Sequence, residues 1–182
     1  VISCDLHAGQ IQGFFDIPLD HLHGSSVFVP YLKKIKSKKI IFASPDAGGT
    51  ERVRSYAKYF DVDFVICDKH RSKANKIKSM QVIGDVENKD VVLVDDLIDT
   101  GGTISKASNL IMEKGAKSVR AIITHPILSG NAEENINSSS LKELVVTDSV
   151  PLKFKNKKIK VLSLAGLFAK AIRKIHENES TS

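Results

Sequence analysis

The sequence predicts an α/β fold in which helices flank a mostly parallel β-sheet. Short apolar runs rich in β-branched residues alternate with segments of about ten residues that have helical periodicity. This alternation is typical of βαβ units, whose strands are parallel. The chain has 182 residues, enough for one domain with a complete hydrophobic core, and it contains no internal repeat.

Strands and helices are expected along the whole chain. Apolar, β-branched runs predict strands at residues 1–4, 39–44, 62–67, 80–83, 91–94, 118–124, 143–147 and 159–162. Periodic apolar positions predict helices at residues 25–36, 50–60, 105–114 and 164–176. Pro30 weakens the first helix, and Gly115 ends the third. We expect a long loop at residues 6–22, a polar connection at 68–78, and a loop with a short helix at 130–140.

Composition argues against several classes of protein. Hydrophobic residues make up 42% of the chain, and no apolar run approaches the ~20 residues that span a bilayer. The net charge of +6 includes lysine runs at residues 33–39 and 153–158, which lack the spaced aromatic residues of a nucleic-acid surface. We therefore expect neither nucleic acid nor membrane as a partner. Cys4 and Cys67 lie in apolar runs, which indicates buried thiols and a cytoplasmic location.

The most informative run begins with the buried strand at residues 91–94. Two adjacent carboxylates, Asp95 and Asp96, close this strand. The turn that follows carries hydroxyl groups and glycines, and consists of Asp99, Thr100, Gly101, Gly102 and Thr103. Backbone N–H groups of a glycine-rich turn that opens a helix bind anions, and the carboxylates beside it accept hydrogen bonds from sugar hydroxyls or hold a metal. The run therefore predicts a ribose phosphate site at the carboxyl end of a strand.

A second glycine-rich loop follows the strand at residues 39–44. Its residues Asp46, Ala47, Gly48 and Gly49 precede a helix, and adjacent glycines allow consecutive N–H groups to converge on an anion. Asp46 is a candidate Mg²⁺ ligand beside the resulting diphosphate site. The alternative is an ordinary loop in which Thr50 caps the helix.

A cluster of cations leaves the strand at residues 62–67. Lys69 and Arg71 point to the same side if the strand continues, because side chains alternate along a strand. Two such cations neutralise the charge that develops during phosphoryl transfer. The alternative is that the charge run is solvated surface.

A histidine follows the first predicted strand. His7 is either a core histidine bonded to backbone or a second metal ligand at the carboxyl end of this strand. The segment after it is too apolar for a free loop, since it contains Phe14, Phe15 and Ile17. We expect these side chains to cover a subunit interface or to pack beneath the site.

Taken together, these groups resemble the ribose-phosphate diphosphokinase family. The matching residues are 5–7 (DLH), 10–18 (QIQGFFDIP), 44–49 (SPDAGG), Lys69 and Arg71 with 73–75, and 91–103 (VVLVDDLIDTGGT). The last run is also similar to the signature of type I phosphoribosyltransferases. The resemblance continues through residues 124–130 to the last helix, so it covers nearly the whole chain. It implies a type I phosphoribosyltransferase-like fold.

Members of this family are about twice as long and consist of two similar halves, so the resemblance implies a division of the chain. Residues 1–22 correspond to the end of the N-terminal half, as a strand and an apolar interface loop. Residues 23–182 correspond to the C-terminal phosphoribosyltransferase-like domain. Homo-oligomers, dimers or hexamers, are implied as well.

The resemblance also implies a reaction, in which the diphosphoryl group of MgATP is transferred to the anomeric hydroxyl of ribose 5-phosphate. Lys69 and Arg71 then match the catalytic cations, and His7 and Asp46 match the Mg²⁺ positions. Residues 46–49 match the diphosphate loop. The ribose 5-phosphate site is matched by Arg71, Asp95, Asp96, Asp99, Thr100, Gly101, Gly102 and Thr103. The alternatives are a phosphoribosyltransferase, which consumes the product, and a non-catalytic regulatory partner.

Overall fold

The computed structural model describes residues 1–37, 39–73 and 76–180, with the backbone alone for residues 69–73 and 76–79. The strands are β1 Ile2–Cys4, β2 Asp20–Leu22, β3 Ile40–Ser44, β4 Phe64–Lys73, β5 Lys76–Ile83, β6 Asp90–Ile98, β7 Ser118–Pro126, β8 Leu141–Thr147 and β9 Ile159–Leu162. The helices are α1 Ser25–Leu32, α2 Thr50–Phe60, α3 Gly102–Glu113, α4 Ala132–Ser138 and α5 Ala165–His176. Lys38 of the first lysine run, and Ala74 and Asn75 of the resemblance, lie outside the described residues.

Seven strands form the main sheet, in the order β5-β4-β3-β6-β7-β8-β9. Every neighbouring pair is parallel except β4 and β5, which are antiparallel. The predicted α/β fold with a mostly parallel sheet is therefore confirmed. Since β3 and β6 are neighbours, the two predicted glycine loops leave the sheet side by side.

The sheet is buried on both faces, which explains why the central strands are continuously apolar. Val91 and Leu93 of β6 belong to the core beneath α3 and α4, whereas Val92 and Val94 belong to the core beneath α1 and α2. All four side chains are at most 1% exposed. Both cysteines are buried as predicted, and burial, with a contribution from Asp5, raises the pKa of the Cys4 thiol to about 12.

The expected loop at residues 6–22 contains more structure than predicted. Residues Gly9–Phe14 form a 3₁₀ helix, and β2 pairs with β1 in parallel to make a separate two-stranded sheet. The sequence of β2, Asp-His-Leu, is too short and polar to indicate a strand. Its pairing with β1 comes from the tertiary fold. The small sheet packs on α5, where Cys4 and Leu22 share a cluster with Leu164 and Ala171.

The polar connection expected at residues 68–78 was also wrong in part. Strand β4 continues to Lys73, and β5 begins at Lys76, so the charged residues belong to an antiparallel hairpin. Their side chains gave no apolar alternation, but the backbone still pairs across the hairpin. The pairing register shifts between His70 and Arg71 and again between Arg71 and Lys73.

Two further element bounds differ from the prediction. Helix α1 contains Pro30 and ends at Leu32, short of the predicted residue 36. Strand β6 continues to Ile98, so Asp95 and Asp96 lie within it and do not close it. No helix of the described chain is long and apolar enough to cross a membrane.

Candidate functional site

A cleft of about 660 Å³ lies at the carboxyl ends of β3 and β6. This is the edge of a parallel sheet where ligands bind in open α/β folds. The cleft is lined by His7, Asp46, Ala47, Gly48, Gly49, Arg52, Asp68, Asp95, Asp96, Leu97, Ile98, Asp99, Thr100, Gly101, Thr103 and Ile104. The structure thus brings together the two predicted loops, the paired acids and His7. Gly102, the remaining residue of the turn at residues 99–103, is the first residue of α3.

The turn between β6 and α3 requires glycine at one position. Gly101 has φ +73° and stands directly before the first residue of α3. Two side chains from the β7–α4 region hold the turn. The amide of Asn135 donates to the carbonyl of Thr100 at 2.7 Å, and the hydroxyl of Ser129 donates to the carboxylate of Asp99. The turn therefore presents the N-terminus of α3 to the cleft, as an anion site needs.

The loop after β3 is stabilised by its own residues. Asp46 accepts the N–H of Gly49 at 3.3 Å, and Ser44 donates its hydroxyl to the carbonyl of Asp46 at 2.5 Å. A Cβ on Gly49 would lie 2.6 Å from the hydroxyl oxygen of Ser44, so a side chain there would displace the hydroxyl that bonds Asp46. Thr50 donates its hydroxyl to the carbonyl of Ala47 and does not cap α2. The alternative of a Thr50-capped helix was wrong.

Asp95 and Asp96 share one arginine. Arg52 of α2 lies 3.0 Å from Asp96 and 3.5 Å from Asp95, measured between guanidinium nitrogen and carboxylate oxygen. Burial raises the pKa of Asp95 to about 7, and the neighbouring Asp96 adds to the increase. Burial also acts on Asp96, but Arg52 and His7 outweigh it and hold its pKa below the usual value. One ionised carboxylate and one that titrates near neutral pH therefore stand side by side.

His7 makes a side-chain contact and is not a core histidine. Its Nδ1 lies 2.7 Å from an Asp96 carboxylate oxygen, and 73% of its side chain is exposed. A metal-binding histidine usually bonds a carboxylate through its second ring nitrogen, which fixes the ring. The bond to Asp96 leaves Nε2 for a metal. His7 and Asp46 both line the cleft, so the cleft carries one imidazole and one carboxylate, which can join phosphate oxygens as ligands of Mg²⁺.

Lys69 and Arg71 can be placed only by their backbone, because their side chains lie outside the described residues. Both belong to β4, opposite Met80 and Ile77 of β5. The residue before Lys69, Asp68, lines the cleft, so the hairpin leaves the cleft at its rim. The strand conformation assumed for the two cations is present, since β4 continues to Lys73, although its pairing with β5 shifts register after His70.

Sequence reasoning missed Arg52, Asp68, Ser129 and Asn135. Arg52 could have been found from its place in the first turn of α2, three residues after the second glycine of the loop. The others come from elements whose positions depend on the order of strands. No local pattern marks Ser129 or Asn135 as a support of a turn about thirty residues earlier.

Comparisons with known proteins point to one family. The profile of the phosphoribosyl synthetase-associated domain matches residues 61–182. The ribose-phosphate pyrophosphokinase of Campylobacter jejuni is 56% identical over 182 residues, which cover 100% of this chain and 59% of that protein. The protein of the same name from Porphyromonas gingivalis is 52% identical over 181 residues, covering 99% of this chain and 58% of that protein.

A comparison with a solved structure points to the same family. The phosphoribosylpyrophosphate synthetase from Mycobacterium smegmatis superimposes with a TM-score of 0.89 at 36% identity, covering 97% of this chain and 58% of that one. The chain thus spans less than three fifths of the length of each of these relatives.

Proposed function

The chain belongs to the phosphoribosyl synthetase-associated domain family, and from this premise we propose that it is the ribose 5-phosphate-binding part of a ribose-phosphate diphosphokinase. In the proposed reaction, the diphosphoryl group of MgATP is transferred to the anomeric hydroxyl of ribose 5-phosphate, giving phosphoribosyl diphosphate and AMP. One observation carries the proposal: a single cleft contains two glycine loops and, beside them, a carboxylate pair of which Asp96 is buried and Asp95 is half-buried. A phosphoribosyltransferase or a regulatory partner is not favoured, since the relatives carry the name of the synthesising enzyme.

The turn at residues 99–103 is the proposed site of the 5-phosphate. The N-terminus of α3 faces the cleft there, and its N–H groups favour an anion. Asp95 and Asp96 precede the turn on β6, where they would accept hydrogen bonds from the ribose hydroxyls. Arg52 holds Asp96 ionised, which keeps that side chain an acceptor.

The loop at residues 46–49, beside the turn at residues 99–103, is the proposed site of the diphosphate. Its bonds from Ser44 and to Gly49 fix the loop before any ligand arrives. His7 and Asp46 would hold Mg²⁺, which when bound neutralises phosphate charge. The bond between His7 and Asp96 keeps the imidazole oriented toward this role.

Lys69 and Arg71 are the proposed transition-state cations, and Arg71 also contributes to ribose 5-phosphate binding. In the transfer, the oxygen of the anomeric hydroxyl forms a bond to the β-phosphorus of ATP, the bond from that phosphorus to the bridging oxygen of AMP breaks, and the proton of the anomeric hydroxyl passes to water. Cations at the rim would stabilise the charge on the transferred group. Lys69→Ala or Arg71→Ala should lower kcat at least ~10²-fold in any assembly in which the chain is active.

A homo-oligomer and a cytoplasmic location are further parts of the proposal. Phe14 is 86% exposed and Ile17 is 60% exposed, so the apolar segment after His7 is open to a second subunit. Residues 1–22 would be the end of an N-terminal half, and residues 23–182 the C-terminal domain. We expect the chain alone to bind phosphoribosyl diphosphate but to make none from ATP.

Ligand-induced thermal stabilisation tests the proposal. Phosphoribosyl diphosphate with Mg²⁺ should raise the Tm of the chain, because a ligand that binds only the native state stabilises it by RT ln(1 + [L]/Kd). The double variant Asp95→Asn, Asp96→Asn should lose this shift.

A matched control carries the same change of charge at the other end of the sheet. Asp61 and Asp63 are exposed beside the amino end of β4, so Asp61→Asn with Asp63→Asn should retain the shift. A shift that persists in the cleft variant, or one absent from the parent chain, would contradict the proposed site.

A further inference from the structure

A second group of ligating side chains lies beside the main cleft. Asp5, His21 and His23 each offer one ligand atom, and these three atoms all lie within 4.8 Å of one another. They line a separate cleft of about 400 Å³, which shares Arg52 and Asp95 with the main cleft. We propose that Asp5, His21 and His23 bind one Zn²⁺ ion, with water as the fourth ligand.

The separations suit a tetrahedral ion. Zn²⁺ binds imidazole nitrogen and carboxylate oxygen at about 2.0–2.2 Å, which puts neighbouring ligand atoms about 3.3–3.5 Å apart. His23 Nδ1 already lies 3.5 Å from Asp5 Oδ1. The ring centroids of His21 and His23 are 4.8 Å apart. Small side-chain rotations therefore suffice to bring all three ligand atoms to one ion.

The carboxylate of Asp5 is fixed by bonds on its other side. Its Oδ2 accepts the N–H of Gly24 at 3.1 Å and the hydroxyl of Thr124 at 2.5 Å. A Cβ on Gly24 would lie 2.6 Å from that oxygen, so glycine is needed for the approach. Since these donors hold Oδ2, the oxygen that faces His23 is Oδ1. Hydrogen-bonded carboxylates of this kind are typical of metal ligands.

His21 has to exchange one bond for the metal. Its Nε2 accepts the N–H of Leu6 at 3.0 Å. A metal at Nε2 would take the same lone pair, and a metal at Nδ1 would force the ring proton onto Nε2. Metal binding therefore releases the N–H of Leu6, which precedes His7 in the chain.

The ligand chemistry selects zinc over magnesium. Two imidazoles and one carboxylate are a common zinc set, whereas Mg²⁺ is held mainly by carboxylate, water and phosphate oxygens, and the proposed main-cleft site offers it one imidazole beside such oxygens. His23 has 66% of its side chain exposed, so water can reach the fourth position. At pH 7.5 an ordinary histidine is mostly neutral and able to bind a metal.

The ion would join parts of the chain that are weakly connected. Asp5 follows β1, His21 lies in β2, and His23 stands just before α1. A two-stranded sheet contributes little stability by itself. Zinc would add a second link between this sheet and the start of α1, beside the bond that Gly24 donates to Asp5.

Metal titration tests the site directly. The tag-free chain, stripped of metal with a chelator, should bind one equivalent of Zn²⁺ at pH 7.5 with a Kd below about 10 µM. Excess Mg²⁺ should not compete. Co²⁺ should give the intense visible absorption of a tetrahedral site, and Zn²⁺ should raise the Tm.

Substitutions test whether Zn²⁺ binds at His21 and His23 and not at other side chains of the chain. His23→Gln should weaken Zn²⁺ binding at least tenfold, and the exposed position of the side chain means that the fold should be retained. The double variant His21→Gln, His23→Gln should lose binding, whereas His176→Gln, at the exposed end of α5, should retain it. Binding weaker than about 10 µM in the parent chain, or unchanged binding in the double variant, would overturn the proposal.

Discussion

Both ends of β6 carry partly buried aspartates, but the surroundings of Asp90 and of Asp95 shift the pKa values of these two side chains in opposite directions. At the amino end, Asp90 accepts hydroxyl hydrogens from Ser37 at 2.7 Å and from Ser118 at 2.5 Å. Burial acts to raise the pKa of Asp90, but these two bonds, together with the charges of Lys117 and Arg120, outweigh it and hold the pKa below the usual value. At the carboxyl end, Asp95 has a raised pKa because it is buried next to Asp96.

This difference separates an aspartate that supports the fold from a pair that lines the cleft. Asp90 has its acceptors occupied, and Arg120 lies 4.0 Å away, so its charge is compensated within the protein. Asp95 and Asp96, by contrast, both contact the single positive charge of Arg52. Uncompensated charge in a cleft costs stability and is retained where it serves binding. The carboxyl end of β6 therefore keeps charge that lowers stability, as expected of the proposed binding site, and the amino end does not.

The largest expected effect on stability is at the amino end. Asp90→Ala should lower the free energy of unfolding by about 2–3 kcal/mol, because it removes two hydrogen bonds to a charged group and leaves the hydroxyls of Ser37 and Ser118 without their acceptor. Asp63→Ala, an exposed aspartate near the same edge of the sheet, is the control and should change stability by less than about 0.5 kcal/mol. Urea unfolding monitored by circular dichroism measures both. Equal effects of the two substitutions would mean that Asp90 has no special support.

The second largest expected effect on stability comes from Arg52, at the carboxyl end of β6. Arg52→Gln should lower the free energy of unfolding by about 1–2 kcal/mol at pH 8, since two neighbouring carboxylates lose their counter-charge. The loss should shrink as the pH falls toward 5, because the carboxylates then take up protons.

Arg54→Gln is the matched control, two residues further along α2. Arg54 pairs with exposed Glu51, and its own side chain is 57% exposed, so its loss should matter little at either pH. If the two arginine variants respond to pH alike, Arg52 does not compensate the pair.

The carboxyl end of β6 was predictable because its chemistry is local. An apolar strand, two acids and a glycine turn before a helix follow one another within residues 91–103, and the structure keeps all of them at one cleft. The acids were wrongly expected to end the strand, since charge usually marks a strand end. Here β6 is long enough that Asp95 still pairs with β7, opposite Ile123.

Other parts could not be predicted because they depend on distant contacts. Arg52 reaches the acids only because β3 and β6 are neighbours, and Asn135 reaches Thr100 only because α4 packs near the turn. Strand β2 has three residues, and its partner β1 lies sixteen or more positions away in the sequence. A pattern read within a window of neighbours contains none of this information.

The smallest effect has the opposite sign to the first and gives the most specific test of the comparison. Asp95→Asn should raise the free energy of unfolding by about 1 kcal/mol at pH 8, because it removes a charge that is buried beside Asp96. The folded pKa of about 7 lies above the unfolded value of 3.8, so the folded chain holds the extra proton between these values. Asp95 therefore lowers stability progressively as the pH rises from 4 to 7, and its effect is constant above that range. The gain from Asp95→Asn should accordingly be absent near pH 4, grow up to pH 7 and then level off.

For Asp90 we expect the reverse dependence on pH, since its lowered pKa stabilises the fold above pH 4 and that stabilisation is lost on acidification. Urea unfolding of both variants across this pH range measures the two curves, and parallel curves would show that the ends of β6 do not differ.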